Sequence, residues 1–132
     1  MNKIFNEMKE ECLKILNSDV PDNLISKFER SCVVCAVRGK SGKIYTGVNI
    51  AWWHSFCAEP AAVSSALAHG ETEITHCVAL KKHKRTKEIT LISPCGICRE
   101  MFNESFKSAK FFVMEDGKVK LKSLSSLLPN PI

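Results

Sequence analysis

The sequence predicts an α/β fold, a three-layer α/β/α sandwich around a mixed five-stranded sheet. Two observations carry this. Apolar residues recur at helical spacing in some segments and form short β-branched blocks in others. The resulting order is helix, hairpin, helix, strand, strand, helix, strand, which lays helices on the faces of a sheet.

Residues 2–16 set Ile4, Phe5, Met8, Cys12, Leu13, Ile15 and Leu16 at helical spacing, and Asn17-Ser18-Asp19-Val20-Pro21-Asp22 breaks the pattern. Residues 31–38 read as a buried strand, Gly39-Lys40-Ser41-Gly42 as a turn, and 43–50 as the returning strand of a hairpin. An aromatic loop follows, Trp52-Trp53-His54-Ser55-Phe56. From Cys57 to His69-Gly70 the chain is rich in alanine and reads as a tightly packed helix with a glycine stop. Residues 74–80 and 88–92 are two further strands. Pro94 introduces a helix from Cys95 to about Phe106, and Lys110–Met114 is the fifth strand. Glu115-Asp116-Gly117-Lys118 is a turn, and residues 124–128 form a short last helix before Pro129. There is no internal repeat or linker, so residues 1–132 are expected to form one domain.

Hydrophobic content of 45% and charge of 25% are ordinary for a globular chain, and 132 residues suffice for a core. The N-terminus, with Asn2, Lys3, Asn6 and Glu7, lacks the apolar run of a secretory leader. No stretch approaches the roughly 20 apolar residues that span a bilayer. The expectation is a cytoplasmic protein without a membrane partner. In a reducing compartment its seven cysteines serve as metal ligands or small buried hydrophobes rather than disulfides. The net charge of +5 gathers at Lys81, Lys82, His83, Lys84, Arg85 and Lys87. This run reads as a solvated turn between two strands, with a phosphate-binding patch as the alternative. No aromatic residue interleaves it, so the base-stacking pattern of a single-strand binder is missing.

The chemistry-bearing residues are Cys57-Ala58-Glu59 and Pro94-Cys95-Gly96-Ile97-Cys98. Cys95 and Cys98 are three apart and share a helix face. Cys57 opens the other long helix, and helix N-termini favour thiolates. Three thiolates leave one tetrahedral position of a zinc ion open, the mark of a catalytic rather than a structural site. The three thiolates give the site a formal charge of −1, and Arg99 is the nearest cation by sequence. Glu59 sits too close to Cys57 to be a comfortable fourth ligand, yet it can reach water at the open position and move protons. A rival set, Cys32 and Cys35 with Cys95 and Cys98, would make a closed structural site. Side chains three apart on a strand point to opposite faces, which argues against it. Cys12, Cys32, Cys35 and Cys77 are more simply buried hydrophobes. His69 reads as a helix-end residue, and His54 as a possible pocket residue.

Cys57-Ala58-Glu59 followed by Pro94-Cys95-x-x-Cys98 resembles the cytidine deaminase superfamily, the kind of site known from zinc deaminases. Gly42–Ile50 and Ser93–Arg99 extend the resemblance, which covers roughly residues 30–115. It implies one Zn²⁺ per chain, a small cytosine nucleoside as substrate, and hydrolysis to the uracil form plus ammonia. It casts Glu59 as proton shuttle, backbone at Ala58 as holder of the base, and Asn49 as a sugar contact. It also implies a homotetramer. Several positions depart from the usual pattern: Ala51 replaces a glutamate, Pro60 an arginine, Glu100 a glutamine, and Ser31 stands where a phenylalanine packs near the sugar. These changes, with Leu127-Leu128-Pro129, are similar to the blasticidin S deaminase branch, which acts on a cytosine nucleoside with an unusual sugar. Trp52, Trp53 and Phe56 would then supply an apolar wall. The alternatives are a non-catalytic protein that uses zinc only to hold its fold, and a deaminase of single-stranded nucleic acid.

Overall fold

The structure, a computed structural model, describes residues 2–50 and 55–132. Ala51, Trp52, Trp53 and His54 lie outside the described residues.

The alternating apolar blocks become six strands of one mixed sheet: β1 (Cys32–Gly39), β2 (Ile44–Val48), β3 (Ile74–Lys82), β4 (Ile89–Ile92), β5 (Lys110–Glu115) and β6 (Lys118–Ser123). Their order is β2-β1-β3-β5-β6, with β4 paired to β3. Among the described residues, only the β3–β5 pairing is parallel. The helices are α1 (Asn2–Leu16), α2 (Val20–Phe28), α3 (Ala58–Ala68), α4 (Gly96–Ser105) and α5 (Leu124–Leu127). Two elements exceed the sequence expectation. The sheet has six strands rather than five, because Lys118-Val119-Lys120-Leu121-Lys122 returns from the turn at Asp116-Gly117 and pairs along all of β5. α2 forms where a breaker was expected, because Pro21 occupies its first turn, where the missing N–H costs nothing.

The pleat of β1 separates the layers. Val33, Cys35 and Val37 face the layer holding α3 and α4. Cys32, Val34 and Ala36 face Met8, Cys12 and Leu16 of α1. Cys32 and Cys35 therefore stand on opposite faces and cannot share an ion. Burial pushes the Cys12 thiol up to about 12 and that of Cys32 up to about 11, so both remain neutral core residues.

On the other face, the alanines of α3 let its backbone lie directly on the sheet. Ala58, Ala62 and Ala66, one helical turn apart, are fully buried. Gly47 on β2 has no room for a side chain: a β-carbon there would meet the Ala62 nitrogen and come within 2.7 Å of the Ala61 β-carbon. α3 ends as its glycine predicts, with Gly70 in the left-handed region at φ 91°. Glu71, just beyond, is buried and turns back to accept hydrogen bonds from the hydroxyls of Ser41 and Tyr45. It ties the C-terminal end of α3 to the β1–β2 hairpin.

The basic run forms the β3–β4 turn, and several of its cations have local partners. Lys82 donates to the Leu16 carbonyl at the end of α1 (3.2 Å), Lys84 to the Glu29 carbonyl at the end of α2 (2.9 Å), and Lys87 pairs with Asp22 at 3.9 Å. Among the described residues no helix is long and apolar enough to cross a membrane.

Candidate active site

Two helix starts converge on one point. Cys57 is the N-cap of α3 and Cys95 the N-cap of α4, both in extended conformation (φ −70°, ψ 160° and φ −70°, ψ 171°). Cys98 follows in the first turn of α4. The Cys57 and Cys95 sulfurs are 3.6 Å apart, those of Cys95 and Cys98 3.5 Å, and all three lie within 4.8 Å of one another. A zinc–sulfur bond of about 2.3 Å with tetrahedral angles separates ligand sulfurs by about 3.8 Å. The triad therefore fits a tetrahedral zinc ion with little adjustment. Cys98 is fully buried, Cys57 half-buried and Cys95 exposed, so the cluster is open on one side.

Without the ion, the three thiols titrate differently. Burial raises Cys57, with the Cys95 thiol adding to it. Burial and the negative charge of Glu59 raise Cys98. At Cys95 burial also opposes charge, but the N–H groups of Cys98 and Ile97 and the neighbouring thiols outweigh it and bring Cys95 below the ordinary value of 9.0. The start of α4 thus stabilises one thiolate, as unpaired helix N–H groups do.

Glu59 lies on the first turn of α3, 3% exposed, with the Cys98 thiol as a hydrogen-bonding neighbour. Burial pushes its carboxyl above 4.5, against the opposing pull of its own N–H and Cys98. A cavity of about 210 Å³ opens beside these groups. Cys57, Ala58, Glu59 and Cys95 line it, together with Asn49, Ile50 and Phe56. Ile50 and Phe56 exchange backbone hydrogen bonds of 3.0 and 2.8 Å, which bring the segment before Cys57 against the end of β2.

Asn49 lines this cavity, and its side chain also extends the hairpin. Its Oδ1 accepts from the Val33 N–H (2.9 Å), and its Nδ2 donates to the Ser31 carbonyl (3.1 Å). One N–H of the amide stays available to a ligand. The Ser31 hydroxyl accepts from the Lys84 N–H at 3.0 Å and borders a second cavity instead. Trp52 lies outside the described residues. Arg99 donates to the carbonyls of Pro94 (2.9 Å) and Leu127 (2.8 Å), strapping the C-terminal segment to the loop before Cys95. His69 bonds the Ser65 carbonyl at 2.7 Å, a helix-end role.

Sequence reasoning did not single out Arg30, Ile92 and Ser93, which also line the first cavity. Ser93 was legible as the residue before the Pro94 helix start. Nothing local marks Arg30 or Ile92: the β3–β4 pairing brings Ile92 here, and Arg30 arrives on the link from α2 into β1.

No family model matches the chain. It is 28% identical over 103 residues to a blasticidin-S deaminase of Bacillus cereus, covering 74% of each chain. It is 36% identical over 97 residues to a cytidine deaminase of Shewanella woodyi, spanning 70% of this chain but only 29% of that longer one. Among solved structures, the cytidine deaminase of Mycobacterium leprae superposes with a TM-score of 0.74 at 19% identity, over 96% of this chain and 98% of the other. A mutant cytidine deaminase of Mycobacterium tuberculosis gives 0.75 at 20% identity, over 97% and 94%.

Proposed function

We propose that this chain is a hydrolase of the cytidine deaminase superfamily, and that it hydrolyses the exocyclic amine of a cytosine nucleoside, or a sugar-modified analogue, with one zinc ion held by Cys57, Cys95 and Cys98. The observation that carries the reading is a cluster of three sulfurs within 4.8 Å of one another, two of which, Cys57 and Cys95, line one cavity together with the buried carboxylate Glu59. Bound there, zinc supplies a Lewis acid that makes water nucleophilic near neutral pH.

The remaining work falls to the chain. Glu59 takes a proton from the attacking water as its oxygen bonds to the amine-bearing ring carbon. It passes that proton to the ring nitrogen, carries the second to the departing amine, and the carbon–nitrogen bond breaks to release ammonia. Water thus supplies the uracil oxygen, one proton on the ring and one on ammonia. Backbone at Ala58 holds the base, and the free N–H of Asn49 reaches the sugar. Ser31 supports this wall through the main chain, and Trp52 is proposed to contribute an apolar surface near the sugar.

Seven free cysteines suit a reducing cytoplasm. Ile50, Phe56 and Ile97 are exposed around the site, which suits association of identical chains, a tetramer in this reading. Sedimentation should find a mass above that of one chain. Cytidine and sugar-modified cytosine nucleosides should lose their absorbance band on incubation with zinc-loaded protein. Inertness of that protein toward the whole series would refute the reading and leave zinc a structural role.

A further inference from the structure

A second cavity, of about 330 Å³, adjoins the first and shares Arg30, Val33 and Asn49 with it. Its remaining lining includes Lys81 and Lys84. Lys81 belongs to the face of β3 that carries Cys77 and Ala79, and it pairs in register with Val33. Its ammonium therefore rises on the same side of the sheet as the cysteine cluster. Arg30 stands in the link between α2 and β1, at the boundary of the two cavities.

Among the described residues, the side chains of Arg30 and Lys81 have neither a hydrogen bond nor an ion pair. The Lys84 ammonium has the Glu29 carbonyl as its partner, and a carbonyl does not neutralise its charge. Glu29 supplies the cavity's one carboxylate, on an exposed side chain without an ion pair among the described residues. Three cations against one anion leave a net positive concavity. Gathering like charges around a hollow is unfavourable unless an anion fills it. Asn49 lines the hollow, and no cysteine does.

We infer that the substrate carries an oxyanion, phosphate or carboxylate, on its sugar side, and that Arg30, Lys81 and Lys84 hold it. The inference rests on the deaminase reading for the placement of base and sugar. Charge-assisted hydrogen bonds to two or three cations are strong enough to favour the anionic ligand about tenfold or more over its neutral counterpart.

The test measures binding of the product forms to zinc-loaded protein by calorimetry: uridine, uridine 5′-monophosphate, and the uridine analogue bearing a 5′-carboxylate. Turnover of the matching cytosine compounds is followed in parallel. At least one anionic ligand should bind about tenfold more tightly than uridine at moderate salt, with the advantage shrinking as salt rises. The phosphate and carboxylate arms identify which oxyanion the cavity prefers. In Arg30→Gln and in Lys81→Gln the ratio of anionic to neutral affinity should fall severalfold.

Equal affinities, or a preference for the neutral ligand, would overturn the inference while leaving the deaminase reading intact. A charge-dependent preference erased by these variants, without turnover of any cytosine compound, would uphold the anion site and refute the deaminase. Binding of a single-stranded oligonucleotide that depends on Arg30 and Lys81, with no mononucleotide preference, would assign the cations to nucleic acid and overturn the inference.

Discussion

Gly47 and Ala62 meet backbone to backbone. The hydrogen that serves as the Gly47 side chain faces the Ala62 amide nitrogen, with no space between β2 and α3 for a methyl group. This contact sets the height of α3 above the sheet. α3 carries Cys57 at its start and Glu59 in its first turn, so the same contact positions half of the site.

Gly47→Ala should therefore act at a distance. Forcing a methyl into a closed contact costs roughly 1–3 kcal/mol, and relief comes by lifting α3 from β2. Thermal unfolding should show the loss of stability, and metal analysis a weaker hold on zinc. A variant with unchanged melting temperature and zinc content would show that α3 is not held by this contact.

Glu59→Gln and Cys98→Ser should separate proton transfer from metal binding. Removing the carboxylate should lower turnover by about 10²–10⁴-fold with zinc retained at one per chain. Removing the buried thiolate should release the metal and lower stability, as chelation of the native protein should. Full activity in the zinc-loaded Glu59→Gln protein would remove Glu59 from the mechanism.

Cys32 and Cys35 lie on opposite faces of β1, and only Cys35 shares a face with the site layer. Cys35 packs with its sulfur 3.6 Å from that of Cys77, and burial raises it well above 9.0. Cys32→Ala and Cys35→Ala should each cost on the order of 1 kcal/mol from small cavities and keep zinc at full stoichiometry. Zinc loss in either would restore the four-thiolate arrangement.

Glu71 should give the protein an acid-sensitive contact. The hydroxyls of Ser41 and Tyr45 hold its carboxyl below 4.5. A depressed carboxyl stabilises the fold above its unfolded value, and the contribution fades as pH falls through the lower folded value. Tyr45 is the converse: its hydrogen bond to Glu71 raises it above 10.0, so that contribution holds below 10.0 and fades as pH rises past the folded value. Urea unfolding of the native protein and Glu71→Gln should differ most at neutral pH and converge toward about pH 3. A gap that stays constant across that range would show that the Glu71 charge contributes nothing.

Much of this arrangement was legible in the chain. The helix starts at Cys57 and Cys95 follow from a composition change and from Pro94, and the i, i+3 spacing of Cys95 and Cys98 already places two sulfurs on one face. The β6 strand was missed, because the lysines that alternate with Val119 and Leu121 after the turn make it read as solvated. α2 was obscured because Pro21 marks a breaker and a helix first turn equally well.

The sequence by itself determined the local pieces: the periodicities, the turn glycine at Gly70, and the ligand-bearing ends of α3 and α4. These depend on neighbours within a few residues, which is the range over which backbone sterics and helix capping act. Tertiary structure alone decided which face of β1 each cysteine joins, why Gly47 admits no side chain, that Arg99 binds carbonyls at Pro94 and Leu127, and that Arg30 and Lys81 border one hollow. Each of these is a contact between distant segments, fixed by strand register and by how closely α3 can approach the sheet.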